Sequence, residues 1–249
     1  MKYLITLICL AIATIGWGQD QDNFDKATTL YQKGDYTQAA AVYSSILKSG
    51  KESSALYYNL GNTYYKLNNV PESIYYYEKA LQLDPENADA KNNLIFASQM
   101  KVDAITPLPK TWVRQLSDGI VGLFSAHTWA VLSIIGVFAF VLSFLLYYFV
   151  ERTALKRTFF SLMLVFLFFA VGSYTLAHFC HKQVSQTQYA ILFDKTVRVF
   201  SEANAYSSEV MELHEGTKVE IIEDAKDWVK IRLVNGKTGW TKVNSLRKL

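Results

Sequence analysis

The chain has 249 residues, of which 51% are apolar and 19% charged, and its net charge is +3. The apolar share is high for a soluble chain because about 60 residues are gathered in signal-like or membrane-length runs, while the remainder has ordinary globular composition. With so small a net charge and no basic stripe on any segment, nucleic acid is excluded as a partner.

The chain opens with "MKYLITLICLAIATIGWGQD", which carries one basic residue, an apolar core of about 14 residues and small residues at Gly16 and Gly18. This pattern predicts a secretory signal over residues 1–18, cut after Gly18. Retention as an anchor competes with cleavage, because Trp17 sits beside the cut and the run is only a little short for a span. Cys9 lies inside the apolar core rather than behind it, which argues against a lipoprotein signal. Either outcome exports the residues beyond Gly18. Cys180 is then the only cysteine of the mature chain, so no internal disulfide can form.

Residues 19–101 repeat themselves. A period of about 34 residues places Gly34 over Asn68, Ala39 over Ser73 and Tyr43 over Tyr77. This divides the region into units 20–53 and 54–87 and a capping helix over 88–101. The second unit carries Leu60, Gly61, Tyr64, Tyr77, Ala80 and Pro85, and resembles a tetratricopeptide repeat. Gly61 is expected where two helices cross too closely for a side chain, Tyr64 and Tyr77 fill the gap between helices, and Pro85 stops the second helix. The first unit has Lys26 and Ala27 in place of the Leu-Gly pair but keeps its turn and second helix. Such units cannot bury their own apolar faces and roughly three are needed for stability. An array this short is expected to dock onto a membrane, another copy or a partner.

The resemblance implies a concave groove for an extended peptide, lined by the first helices of successive units. Its positions fall on Tyr58, Asn62 and Tyr65, with Asn92 and Phe96 from the capping helix. Rings bury area at low rotamer cost, and amides pair with peptide backbone. These tyrosines serve equally well as packing between helices. Tyr58 and Phe24 stand where a carboxylate-clamping lysine would be wanted, which disfavours recognition of chaperone tails.

Residues 102–127 form a connector. "ITPLP" predicts a stiff, extended spacer. Val113, Leu116, Ile120 and Leu123 then recur at helical spacing, with Trp112 and Trp129 at either end, and predict a helix lying along a membrane surface or packed on the repeats. Residues 128–150 and 158–177 are charge-free runs of about 23 and about 20 residues, enough as helices to cross a hydrocarbon core of about 30 Å. Between them, 151–157 holds Arg152, Lys156 and Arg157 against Glu151. Basic residues in short loops stay cytoplasmic, so the hairpin turns inside and both flanking regions face the exported side.

In the tail, residues 187–249, the pattern becomes strand-like. "TKVEII", "WVKIRLV" and "KTGWTKV" alternate with period 2, and Asn235-Gly236 signals a two-residue hairpin turn. With Gly216 in a turn, Trp228 opening a strand and Gly239-Trp240 closing the sheet, this stretch resembles a bacterial SH3 domain. The family's Asn-Val-Arg-x-x-Pro segment appears here as "VRVFSEANAYSSE", without the proline. The resemblance implies attachment to peptidoglycan or to extended peptides through surface aromatics. Phe200, Tyr206, Trp228 and Trp240 are the candidates, with core and hairpin packing as their alternative role.

The fold class predicted is therefore a multidomain membrane protein: an all-α tetratricopeptide array, a transmembrane helical hairpin and an all-β SH3-like barrel. In that order the segments resemble BatE-type members of the bacterial aerotolerance-operon Bat proteins. The resemblance implies a noncatalytic inner-membrane component, with the termini of its mature chain periplasmic, working beside Bat relatives that carry von Willebrand A domains. No catalytic residue, metal site or cofactor is expected. "HFCH" at 178–181 puts His178 and His181 on one helical face and Cys180 on another, with no fourth ligand nearby. It reads as juxtamembrane polar sequence. A wall tether acting through the barrel and an envelope redox protein depending on Cys180 are the alternatives to a scaffold.

Overall fold

The computed structural model describes residues 21–109 and 111–249. The expected export signal at 1–18 lies outside the described residues. The chain divides into two compact units: one combines the residues up to Leu108 with Gln188–Leu249, the other is Pro109–Thr187.

The first unit begins with five antiparallel helices: α1 over residues 21–32, α2 Tyr36–Lys48, α3 Ser54–Lys66, α4 Val70–Leu83 and α5 Ala88–Gln99. The starts of α2 to α5 are set by side-chain caps. The oxygens of Asp35, Ser53, Asn69 and Asn87 each accept the backbone N–H three residues on, at 2.9–3.3 Å, satisfying donors that a helix start leaves free. The turns between the paired helices need a left-handed residue, and the repeat supplies it twice, as Gly34 at φ +82 and Asn68 at φ +57.

Packing between repeats follows the same period. A Cβ on Gly61 would lie 2.6 Å from the Tyr77 ring, so α3 and α4 can meet only at a glycine. Ser73 Oγ donates across this crossing to the Gly61 carbonyl at 3.1 Å. In the first unit Ala27 takes the place of Gly61 and is fully buried in a core with Tyr43, Leu56 and Leu60.

The tail forms a seven-stranded antiparallel sheet, curled into an SH3-like barrel: β1 Gln188–Leu192, β2 Thr196–Phe200, β3 Glu209–His214, β4 Lys218–Ala225, β5 Trp228–Arg232, β6 Thr238–Lys242 and β7 Leu246–Lys248. The strand order is β3-β2-β6-β5-β4-β1-β7. Val199, Val219, Val229 and Ile231 fill the core. The β5–β6 turn corrects the sequence reading. Leu233 N–H reaches the Lys237 carbonyl at 2.9 Å, so three residues, Val234 to Gly236, make the turn, with Gly236 at φ +81. A three-residue turn closing on a left-handed glycine preserves the strand twist as well as the two-residue form does.

What the short array packs against is this barrel. Strand β1 is buried on both faces: Ala190 and Leu192 point into the barrel core, while Ile191 joins Ile74, Tyr77 and Ala97 of the array. Strand alternation makes that division automatic. Gly216, at φ +80 in the turn after β3, would bring a Cβ to 3.1 Å from Val70 and 3.2 Å from Ile74. Two ion pairs flank the contact, Arg247 with Glu72 at 2.6 Å and Lys218 with Glu78 at 2.7 Å. The predicted spacer is also no free strut. Asp103 accepts from His214 and Thr217, Ile105 packs on the barrel core, and Leu108 N–H bonds to the Val234 carbonyl at 3.3 Å.

The second unit holds α6 Trp112–Val121, α7 Ala126–Phe149 and α8 Thr153–Gln186. Helices α7 and α8 are long and apolar enough to cross a bilayer, and little of their apolar surface is buried. They cross closely at Gly136, where a Cβ would lie 3.1 Å from that of Ala170, and Ser133 Oγ donates to the Ala170 carbonyl at 3.0 Å. Helix α8 outruns the apolar run 158–177 at both ends. It starts at Thr153, inside the stretch expected to be loop, because Ala154, Leu155, Lys156 and Arg157 are all strong helix formers.

Candidate functional site

The first helix of each repeat faces a common cleft. Tyr31 of α1, Tyr58, Asn62, Tyr65 and Lys66 of α3, Tyr77 of α4, and Asn93 and Phe96 of α5 line a cleft of about 290 Å³, near the lower end of ligand-pocket sizes. Of the sequence-predicted groove residues, Tyr58, Asn62, Tyr65 and Phe96 meet here. Asn92 does not. The inward stripe of α5 is Ala90, Asn93, Leu94 and Ala97, and Asn92 sits about 100° away from Asn93, exposed to solvent.

Hydrogen bonding separates support from contact surface. Asn62 Oδ1 accepts from Tyr77 Oη at 2.6 Å and from Asn93 Nδ2 at 2.8 Å, and Asn93 also donates to Tyr58 Oη at 3.3 Å. Burial pushes the Tyr77 phenol up, so it stays protonated and available as donor. The same bridge recurs one repeat earlier, between Thr28 and Tyr43 at 2.9 Å. Asn62 is thus committed largely to holding the wall. Lys66 is exposed at the cleft, Phe96 is 55% exposed, and Tyr65 is half-buried. Among the described residues Lys66 forms no ion pair. Sequence reasoning missed Tyr31 and Lys66. Tyr31 could have been found by carrying Tyr65 back one period.

The barrel aromatics form a second surface. Phe200 pairs with Trp240 across β2–β6 and Trp240 with Lys230 across β6–β5. Because alternate neighbours Val199, Val229 and Thr241 are buried, these larger side chains lie on the outer face. Phe200 meets Trp228 edge-on at 5.6 Å, and Lys230 Nζ lies 5.7 Å from the Trp240 ring centre. Tyr206 stands apart on the β2–β3 loop, 97% exposed. Next to Trp228, a cleft of about 520 Å³ is lined by Asn204, Lys226, Asp227, Lys242 and Asn244 among others. Of the four aromatic candidates only Trp228 borders it.

Among the described residues no group of three or more His, Cys, Asp or Glu could hold a metal. Cys180 is buried, its thiol 3.7 Å from the Val121 carbonyl.

These features define a multidomain protein built of interaction modules around two apolar helices. Residues 24–88 match a tetratricopeptide repeat family and residues 195–245 match a bacterial SH3 domain family. No curated protein gives a significant match to the chain. Modules of both kinds typically bind proteins or cell wall rather than catalyse.

Proposed function

We propose that the protein is a noncatalytic scaffold of a bacterial inner membrane, in which α7 and α8 span the bilayer and the array holds an extended segment of an exported partner. The observation that carries this reading is the cleft itself: the rings of Tyr65 and Phe96 and the exposed Lys66 converge on a wall braced by Asn62 and Asn93, where an extended peptide can run. Array and barrel pack on each other, so they share a compartment, and the periplasmic side is supported for both by Arg152, Lys156 and Arg157 at the turn of the hairpin, since basic residues in short loops stay cytoplasmic. The partner favoured by the domain order is a Bat-type protein with a von Willebrand A domain, within an assembly tied to aerotolerance or envelope stress.

The test uses cleft residues with little internal role. Lys66→Glu combined with Phe96→Ala should abolish crosslinking to the Bat-type partner in intact membranes while leaving the helical circular dichroism unchanged. Undiminished crosslinking would defeat the reading.

The barrel cleft beside Trp228 favours a second reading, a tether to peptidoglycan, since an indole with flanking amides and lysines can stack on sugar rings and pair with stem-peptide carboxylates. Purified sacculi should then retain the full-length protein and lose it on Trp228→Ala. Equal retention of both would remove this reading.

A further inference from the structure

We propose that one face of α6 seats in the headgroup layer of the bilayer, as a foot at the open end of the α7–α8 hairpin. The inference rests on α7 and α8 being spans and adds a second mode of lipid contact.

Trp112, Leu116 and Ile120 are spaced four residues apart, so each is displaced by only about 40° from the last and the three share one face. They are 76%, 58% and 42% exposed, and Leu123 and Phe124, just beyond the helix, are 64% and 45% exposed. The side chain of Val113, which the sequence also placed in this series, lies outside the described residues. An apolar stripe this exposed needs an occupant, and its location says which. The last carbonyl of α6, on Val121, accepts from the indole Nε1 of Trp129 on α7 at 3.4 Å and from the thiol of Cys180 on α8 at 3.7 Å. Around it Trp129, Ala177 and Cys180 are buried, with Val121, Ala126, Leu132 and Leu176 packed on them. Helix α6 is therefore pinned where α7 begins and the apolar part of α8 ends.

That level is where a bilayer passes from hydrocarbon to headgroups if the two helices span. The lipid that must cover Phe138 and Phe168, 72% and 74% exposed on the spans, is continuous with whatever lies against the α6 stripe. A short helix with one apolar face and a tryptophan is suited to that layer, since the indole has an apolar body and a polar N–H. The clasp also gives Cys180 a structural role: its thiol closes the hairpin mouth over the end of α6.

The experiment places the full-length protein in vesicles of phosphatidylethanolamine and phosphatidylglycerol brominated either near the headgroup or near the chain ends. Trp112→Phe, a change at an exposed ring, is measured in parallel so that the difference isolates Trp112 emission. The expected result is blue-shifted Trp112 emission quenched at least twofold more by shallow bromines than by deep ones. Absence of quenching, or stronger quenching by deep bromines, in protein that resists carbonate extraction would overturn the foot and leave the spans standing. Release by carbonate would overturn both.

Discussion

Arg247, near the end of the chain, offers the sharpest perturbation of the array–barrel contact. Its guanidinium donates twice to Glu72, at 3.0 and 2.6 Å, and lies 4.5 Å from the Tyr75 ring centre and 3.9 Å from that of Phe193. The side chains of Arg247 and Glu72 are 38% and 19% exposed, so solvent screens the pair and its contribution is about 1 kcal/mol rather than that of a buried bridge. Each ring contact adds about 0.5–1 kcal/mol. Arg247→Ala should thus weaken docking by about 2 kcal/mol, or roughly 30-fold in the population of the undocked state. Helices α4 and α5 lean on β1 through Ile74, Tyr77 and Ala97, and their amides should exchange with deuterium correspondingly faster in the full-length protein. Glu72→Ala removes the ion pair but leaves the ring contacts, so a cycle with Arg247→Ala should give a coupling of about 1 kcal/mol. Exchanging the two charges, Glu72→Arg with Arg247→Glu, should restore part of the protection. Unchanged exchange in α4 and α5 after Arg247→Ala would refute the view that the barrel supports the array.

Two further outcomes stem from local geometry. Gly61→Ala forces a Cβ against the Tyr77 ring and should cost about 1–3 kcal/mol, read by thermal denaturation, with a smaller loss when Tyr77→Leu accompanies it. The Asp103–His214 latch should be pH-dependent. Burial alone would lift the Asp103 carboxyl, but bonds from Thr217 and His214 outweigh it and hold the carboxyl below its usual range; the bond to Asp103 in turn raises His214. The Asp103 contribution is present above about pH 3.9 and fades as pH falls through its depressed value, while the His214 contribution is complete below about pH 6.5 and fades as pH rises through its raised value. The melting-temperature difference between the protein and Asp103→Asn should therefore be largest between those limits, and a difference that grows with pH above neutrality would contradict the assignment.

The parts of this molecule that the sequence made legible are those governed by short-range rules. The 34-residue period aligned Gly34 with Asn68 and set Gly61 at a close helix crossing, because tight turns and close crossings leave few residue choices; the structure adds that Tyr77 is the ring Gly61 meets and that both turn residues are left-handed. Alternation and glycine turns exposed the barrel, and charge-free length exposed α7 and α8. Adjacent asparagines leave the phase of α5 open by one position in the sequence, and the structure turns Asn93 rather than Asn92 to the cleft. The docking of array on barrel was hidden for a different reason. Glu72 and Arg247, or Ile74 and Ile191, are joined by complementarity across the whole intervening hairpin, and no local pattern encodes such a match. Ile191 even carried a visible signal, since β1 has apolar residues at consecutive positions, Ala190 to Leu192, as a strand buried on both faces should.

The proposed topology puts array and barrel in one compartment outside the cytoplasm, with the hairpin turning on the inner side. Site-directed labelling tests it most directly, with Asp89→Cys, Tyr206→Cys and Glu151→Cys introduced singly into a Cys9→Ser, Cys180→Ser background. In intact spheroplasts an impermeant maleimide should label the first two sites and reach the third only after lysis. Labelling of Glu151→Cys in sealed cells with protection of the other two would contradict the account.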